Sequence, residues 1–223
     1  MNAKRIIIVD DHPLFRAALV QIVAPGPDCS QVEEAGDLVQ LTTALAADRA
    51  CDLILLDLNM PGSRGFSGLL LVRAQYPEIP VIIISAVEDP AIMRRCFDLG
   101  AAGYLKKSSS GEEIRSAIDK VLAGDLWIPE ETAPNQDGKQ DEFARQLSSL
   151  TPQQIRVLLM LSDGLMNKQI AYELSISEAT VKAHVSAILQ KLNVDSRTQA
   201  VILAAKLEQG RIEAVTTQVD DKL

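Results

Sequence analysis

No apolar stretch of this 223-residue chain is long enough for a membrane helix, and its start runs through Lys4 and Arg5 straight into Ile6 without a small-residue cleavage site. A soluble, cytoplasmic protein with no membrane contact is expected. Cysteine is scarce. Cys29, Cys51 and Cys96 are odd in number, lie in or beside apolar segments and lack metal-ligand spacing, so they read as buried thiols in a reducing compartment. A strongly basic region is also missing. The formal net charge is −8, residues 1 to 128 carry 12 basic and 17 acidic side chains, and residues 151 to 208 carry 6 and 5. The basic bias of the C-terminal part is therefore weak, well short of a strong electrostatic footprint for nucleic acid. Apolar residues, in contrast, make up 47% of the chain, enough for one or two packed domains and too many for disorder throughout.

Two adjacent carboxylates, Asp10 and Asp11, follow the apolar run Ile6 to Val9, and a third, Asp57, follows Leu53 to Leu56. A buried strand that ends in an acid places it on a sheet rim. Val81 to Ile84 ends likewise in Ser85, and Gly103, Tyr104, Leu105 and Lys106 are followed by Lys107. Short apolar runs at 5–10, 31–35, 52–57, 80–85 and 102–105 alternate with longer amphipathic stretches. That alternation predicts a parallel sheet covered by helices, an α/β doubly wound fold, in which those strand ends share the edge with the ligand crevice. The third helix is expected to begin near Gly65 and Phe66 and to end by Tyr76, before Pro77. The fourth is expected to open with Pro90 and close at Gly100.

Acids also cap strand ends with no further purpose, so no single one of them decides the matter. Three together on one rim repel one another and favour a hard divalent cation, Mg2+, with oxygen ligands. If Asp57 is a nucleophile toward phosphorus, Mg2+ and Lys107 offset the charge of the transferring group and Ser85 donates to a phosphoryl oxygen. Ala86 is small enough to leave room for the donor.

The segments DDHPLFR from Asp10, LLDLNMPG from Leu55, IISA from Ile83 and GYLKK from Gly103 resemble response-regulator receiver domains, whose fold is flavodoxin-like. The resemblance implies Asp57 as phosphoacceptor, Asp10 and Asp11 as Mg2+ ligands with Asp57, and Asn59 as a ligand through its backbone carbonyl. It further implies Ser85 and Tyr104 as the switch pair and Lys107 as the phosphate-facing lysine, Lys106 standing one place early from Tyr104. Arg64 stands where an acid is common in the family. Ser108 follows the lysine where many receivers have proline, which leaves the isomer of that peptide open, a non-proline cis bond costing about 3 kcal/mol.

From Asp125 to Leu150 the character changes. Pro129, Pro134, Asn135, Gln136, Asp137, Gly138 and Gln140 form a polar linker, with Trp127 and Ile128 at its start placed to pack on the last receiver helix. Phe143 and Leu147 predict a short helix before Leu150. Thr151, Pro152, Gln153 and Gln154 then supply an N-cap, a first-turn proline and a capping glutamine for a helix ending at Gly164. A short helix from Asn167 to Leu174, a tight turn at Ser175 and Ile176, and a helix capped by Ser177 and running to about Leu192 have the spacing of a helix-turn-helix.

On that second helix Val181, Val185, Ile188, Leu189 and Leu192 recur at helical spacing and face the domain core. The opposite side presents Thr180, Lys182, Ala183, His184, Ser186 and Lys191, small and cationic groups suited to a major groove or, more plainly, to water. LTPQQIRVL from Leu150, NKQIAYELSISEATVKAHVSAILQKLNV from Asn167 and SRTQAVILA from Ser196 closely resemble the LuxR-type, or NarL-type, DNA-binding domain, an all-α helix-turn-helix fold. The resemblance turns Lys182, Ala183 and Ser186 toward bases and sets Thr180, His184 and Lys191 nearer the backbone. The last helix, capped by Ser196 with Gln199, is apolar almost all round. One domain cannot bury both faces, so Val201 and Ala205 are expected to meet the same helix of a second subunit.

The expected organisation is a receiver at 1–124, a linker at 125–147, a DNA-binding domain at 148–210 and a tail at 211–223. The resemblance implies a regulator rather than an enzyme. A sensor histidine kinase phosphorylates Asp57, Ser85 turns to the phosphoryl group, Tyr104 moves inward, and a homodimer binds promoter DNA to regulate transcription, with RNA polymerase a further candidate partner. The family also admits a resting state in which the receiver covers the recognition helix. The competing reading is a phosphorylation-independent DNA-binding regulator whose receiver serves as a dimerisation or docking module. A stand-alone phosphatase or metal-dependent hydrolase is a distant third, having no use for the C-terminal helices.

Overall fold

Five short segments become the strands of one parallel sheet. In the computed structural model, which describes residues 4–24, 31–60, 65–132 and 142–209, these are β1 (Arg5–Val9), β2 (Gln31–Ala35), β3 (Leu53–Asp57), β4 (Val81–Ser85) and β5 (Gly103–Lys106). Their order is β2-β1-β3-β4-β5, all parallel. The connecting helices are α1 (Pro13–Val23), α2 (Leu38–Ala47), α3 (Ser67–Gln75), α4 (Pro90–Asp98) and α5 (Gly111–Leu122). Ile6, Ile8, Leu53 and Leu55 point to the face covered by Leu19 of α1 and by Ile114, Ala117, Ile118 and Val121 of α5. Ile7, Val9, Ile54 and Leu56 point to the other face, against Leu41, Leu45, Leu69, Val72, Met93 and Cys96. Residues i and i+1 of a strand thus serve different cores, as the pleat requires. Gly100, at φ +91, follows α4 where the sequence placed its stop.

The two edges of the sheet are protected differently. At β2 only Ala35 is buried, so the run 31–35 is less apolar in effect than its neighbours. Glu33 accepts from the buried Arg5 guanidinium at 2.6 Å and Glu34 from Arg16 at 2.8 Å. A charged edge of this kind resists pairing with another strand. At β5 the edge is closed by the chain itself. The Trp127 N–H donates to the Ala102 carbonyl at 3.0 Å, and the Trp127 carbonyl accepts from the Tyr104 N–H at 3.2 Å. Lys120 of α5 lies 5.8 Å from the indole centroid, so Trp127 packs beside the last receiver helix as expected and also bridges to the sheet at Gly103, whereas Ile128, expected to pack there too, is 51% exposed. A 3-10 turn, Glu130–Thr132, follows.

The C-terminal helices are α6 (Glu142–Ser148), α7 (Pro152–Ser162), α8 (Asn167–Glu173), α9 (Glu178–Lys191) and α10 (Arg197–Gln209). Thr151 and Gln154 form a reciprocal capping box on α7, and Ser196 with Gln199 forms another on α10. Ser175 adopts φ +52 in the turn between α8 and α9, which lets the two helices of the motif change direction within a few residues. Val181, Ile188 and Leu192 are buried, with Val185 and Leu189 packed beside them, so α9 turns inward the face that its periodicity predicted. Leu150 and Ile155 meet Leu70 and Leu99 of the receiver around a cavity of about 220 Å3, and Ala144 and Leu147 of α6 are buried in the same apolar cluster.

Cys96 is fully buried and Cys51 half-buried, and burial pushes both thiols above the usual cysteine range. Cys29, the linker residues 133–141 and the tail 211–223 lie outside the described residues. Among the described residues no helix is long and apolar enough to cross a membrane.

Gly103 is required by the closure of the β5 edge. A Cβ there would stand 3.1 Å from Ile82 Cγ1 and 3.2 Å from Trp127 Cβ. Gly103→Val is expected to destabilise the chain by about 1–3 kcal/mol through overpacking. Thermal unfolding is the check, and an unchanged melting temperature refutes the close approach.

Candidate functional site

The strand order brings the ends of β1, β3 and β4 side by side, and with them every acid singled out in the sequence. Asp10 directly follows β1 and is 1% exposed, while Asp57 ends β3 at 3%. Lys107, just past β5, reaches both, with Nζ 2.7 Å from Asp10 Oδ2 and 2.8 Å from Asp57 Oδ2. Its backbone N–H donates to the Ser85 carbonyl at 2.8 Å, which fixes where the side chain starts. Phe15 lies under the ammonium, 4.9 Å from centroid to Nζ. Lys106 instead lies beside Glu131 and Glu88. No described peptide bond is cis, so Lys107–Ser108 is trans.

Burial raises the Asp57 carboxyl above the usual carboxylate range, and this outweighs the opposing pull of Lys107 and of the Asn59 N–H, which donates to Asp57 Oδ1 at 3.2 Å. Burial acts to lower the Lys107 ammonium, and the two carboxylates outweigh it, so this group stands above the ordinary lysine range. Asp10, Asp11, His12 and Asp57 each present a ligand atom within 4.8 Å of the others. Asp10 Oδ2 and Asp11 Oδ1 are buried without a hydrogen-bond donor. Each does lie near a cationic or imidazole nitrogen, Lys107 Nζ at 2.7 Å and His12 Nδ1 at 2.8 Å, but not in hydrogen-bonding geometry. Carboxylates whose ligand atoms converge on one rim fit a hard cation with oxygen ligands.

Three contributors were not foreseen from the sequence. His12, immediately after the acid pair, donates its backbone N–H to Asp10 Oδ1 at 2.7 Å and so orients that carboxylate. Arg16, one turn into α1, donates to the Asp10 carbonyl at 2.6 Å. Leu14 is 88% exposed and, with Phe15, lines one side of the cavity above Asp57, of about 450 Å3, opposite Asn59 and Ala86. All of them fall within the segment DDHPLFR, and strand β1 aims that turn at the rim.

Ser85 is fully buried, its Oγ accepting from the Val87 N–H at 3.2 Å. Tyr104 is fully buried as well, and its hydroxyl donates to the Val87 carbonyl at 2.6 Å. The inward place that the resemblance assigns to Tyr104 after switching is therefore already filled, because Val87 offers the phenol an acceptor inside the protein.

In the helix-turn-helix, Ser177 caps α9 by accepting from the Thr180 N–H at 3.0 Å. Thr180, Lys182, Ala183 and Ser186 are exposed and His184 is half-buried, so the receiver does not cover this face. Lys182 pairs with Glu178, one turn back at 3.1 Å, an exposed contact of little strength. Lys191 differs from the rest of the set: its ammonium donates to the Ser149 carbonyl at 2.6 Å and to Gln154 Oε1 at 2.9 Å, tying α9 to the start of α7. On α10, Ala200 and Ala204 are buried, Val201 and Ala205 are half-buried, and Ile202 is 51% exposed.

Residues 6–119 match the response regulator receiver domain, and residues 148–204 match the luxR family of bacterial regulatory proteins. The chain is 42% identical over 212 residues to the glycerol metabolism activator of Pseudomonas putida, with 92% of this chain and 96% of that protein covered. It is 33% identical over 201 residues to the nitrate/nitrite response regulator protein NarL of Escherichia coli, covering 88% and 93%. In fold it resembles the RcsB response regulator of Salmonella typhimurium, at a TM-score of 0.55 and 22% identity over 92% of this chain and 99% of that one. A receiver whose rim acids meet one lysine, followed by a helix-turn-helix with an open second helix, thus has relatives along nearly its whole length, and the chain belongs to the response regulators that join a receiver to a LuxR-type DNA-binding domain.

Proposed function

We propose that Asp57 accepts a phosphoryl group from a sensor histidine kinase and that the phosphorylated chain dimerises and binds promoter DNA through α9. The observation that carries this reading is the single ammonium of Lys107 shared by Asp57 and Asp10. In the transfer an oxygen of the Asp57 carboxylate bonds to phosphorus while the bond from phosphorus to the kinase imidazole nitrogen breaks, and the imidazole leaves and takes up a proton. Asp10, Asp11, Asp57 and the Asn59 carbonyl would hold Mg2+, which supplies positive charge against the phosphoryl oxygens. Lys107 exchanges its contact with Asp57 Oδ2 for a phosphoryl oxygen while Asp10 keeps it in place. Ser85 gives up the Val87 amide to donate to the same group.

At the other end, Lys182, Ala183 and Ser186 face the bases and Thr180 and His184 the sugar-phosphate backbone. Lys191, with two of its three N–H groups engaged, has one left for a phosphate. Val201 and Ala205, with the exposed Ile202 beside them, form the face that meets a second copy across a two-fold axis. Such a dimer reads an inverted repeat.

Selection of genomic fragments by the purified chain in Mg2+, with and without beryllofluoride as the stand-in for the phosphoryl group, tests the whole reading. Enrichment only with beryllofluoride is expected. Equal enrichment favours the phosphorylation-independent regulator. Asp57→Ala is expected to abolish phosphate incorporation from acetyl phosphate, and retained incorporation removes Asp57 from its role. Lys182→Ala is expected to weaken operator binding by about 1–3 kcal/mol and to relax preference at one base position, measured by titration at fixed salt. An unchanged Kd refutes the contact. Val201→Glu is expected to leave monomers that bind half-sites weakly, and a variant still dimeric with beryllofluoride in sedimentation shows that α10 is not the interface.

A further inference from the structure

Residues 125–132 take no part in the site, yet a short series of bonds joins them to it. Trp127 closes the β5 edge through its backbone, and the turn Glu130–Thr132 packs against α4 with Thr132 buried and its hydroxyl donating to the Pro129 carbonyl at 2.6 Å. The side-chain tie of this strap is Glu131, whose Oε1 accepts from Lys106 Nζ at 3.0 Å. The same ammonium lies 3.7 Å from Glu88 Oε2. Glu88 adjoins Val87, which binds Tyr104 through its carbonyl and Ser85 through its amide. One cation therefore stands between an acid on the loop after Ser85 and an acid on the linker. Pairing with Glu131 raises the Lys106 ammonium above the usual range, while Glu131 is held below its own by its backbone amide and by Lys106.

We propose that Lys106 is a latch shared by Glu88 and Glu131, and that modification of Asp57 is relayed to the linker by changing which of the two carboxylates holds it. The relay rests on the reading of Asp57 as phosphoacceptor. When Ser85 turns to the phosphoryl oxygen it releases the Val87 amide, the loop rearranges around that amide, and Glu88, one residue on, moves with it. Exposed ion pairs are weak and nearly interchangeable, so a small displacement of Glu88 repartitions the ammonium, which a tightly buried pair would resist. The strap then gains or loses its Glu131 tie to β5, at the point where the chain leaves the receiver for the DNA-binding domain.

Trp127 is the single tryptophan of the chain, so quenching of its emission by acrylamide reads the strap without a label. The full-length protein is compared with Lys106→Met and Glu131→Gln, each in Mg2+ with and without beryllofluoride, while amide exchange of residues 85–90 reports loading of Asp57 independently. The expected result is at least a twofold change in the quenching constant of the native chain, lost in both variants although 85–90 still responds in all three. A response at 85–90 without one at Trp127 in the native chain overturns the latch and leaves the phosphoacceptor reading standing. Variants that keep the native quenching response overturn it too, because the relay then bypasses Lys106. Silence at both places overturns the latch together with the reading on which it rests.

Discussion

A single ammonium makes the sheet rim tenable. Lys107 sits between two carboxylates that are each almost wholly buried, and their ligand atoms lie within 4.8 Å of one another. Two like charges at about 5 Å in an effective dielectric of about 20 repel by roughly 3 kcal/mol, which is a large share of the stability of an ordinary domain. The strand order decides that this cation can arrive at all. β1 and β3 are neighbours, so their terminal acids meet, while β5 stands one strand beyond β4 and a long side chain is needed to reach back across Ser85. The same order leaves β5 at an edge, where Trp127 seals it, and places the loop after β4 between the acids and the linker. Phosphoryl chemistry and its readout are thus both arranged around the end of one strand.

The receiver was legible where apolar runs stop at a functional residue. Ile6 to Val9, Leu53 to Leu56 and Val81 to Ile84 each end at a rim group, and the strands lie where those runs predicted. The choice of Lys107 over Lys106 followed from the spacing to Tyr104, from which Lys106 stands one place early. What escaped the sequence depends on partners far along the chain. Gln31–Ala35 is a strand where the run at 31–35 predicted one, but its exposure, with only Ala35 buried, and the pairing of its acids with Arg5 and Arg16 were not foreseen. Lys191 carries the spacing of a surface cation, but the Ser149 carbonyl and Gln154, about forty places earlier, engage its ammonium. His12 and Arg16 have no signature of their own. They act through the Asp10 carboxylate and carbonyl, which only the turn into α1 brings near.

The two halves share apolar surface through α6 and α7, which lie against α3 and α4, on the face of the sheet away from α1 and α5. Thr180, Lys182, Ala183 and Ser186 of α9 remain exposed, as does Ile202 on α10. Docking of the halves and access to DNA are therefore separate matters in this chain.

An open recognition helix also bears on how a regulator finds its site. If α9 meets the groove as proposed, a chain whose α9 face is exposed can touch and slide along the duplex, since such scanning needs only weak, salt-sensitive contact with phosphates. Pairing then adds a second half-site to an encounter that has already happened. If phosphorylation works by joining two such chains, activation lengthens residence at the operator more than it quickens arrival, and the signal is written in the dissociation rate.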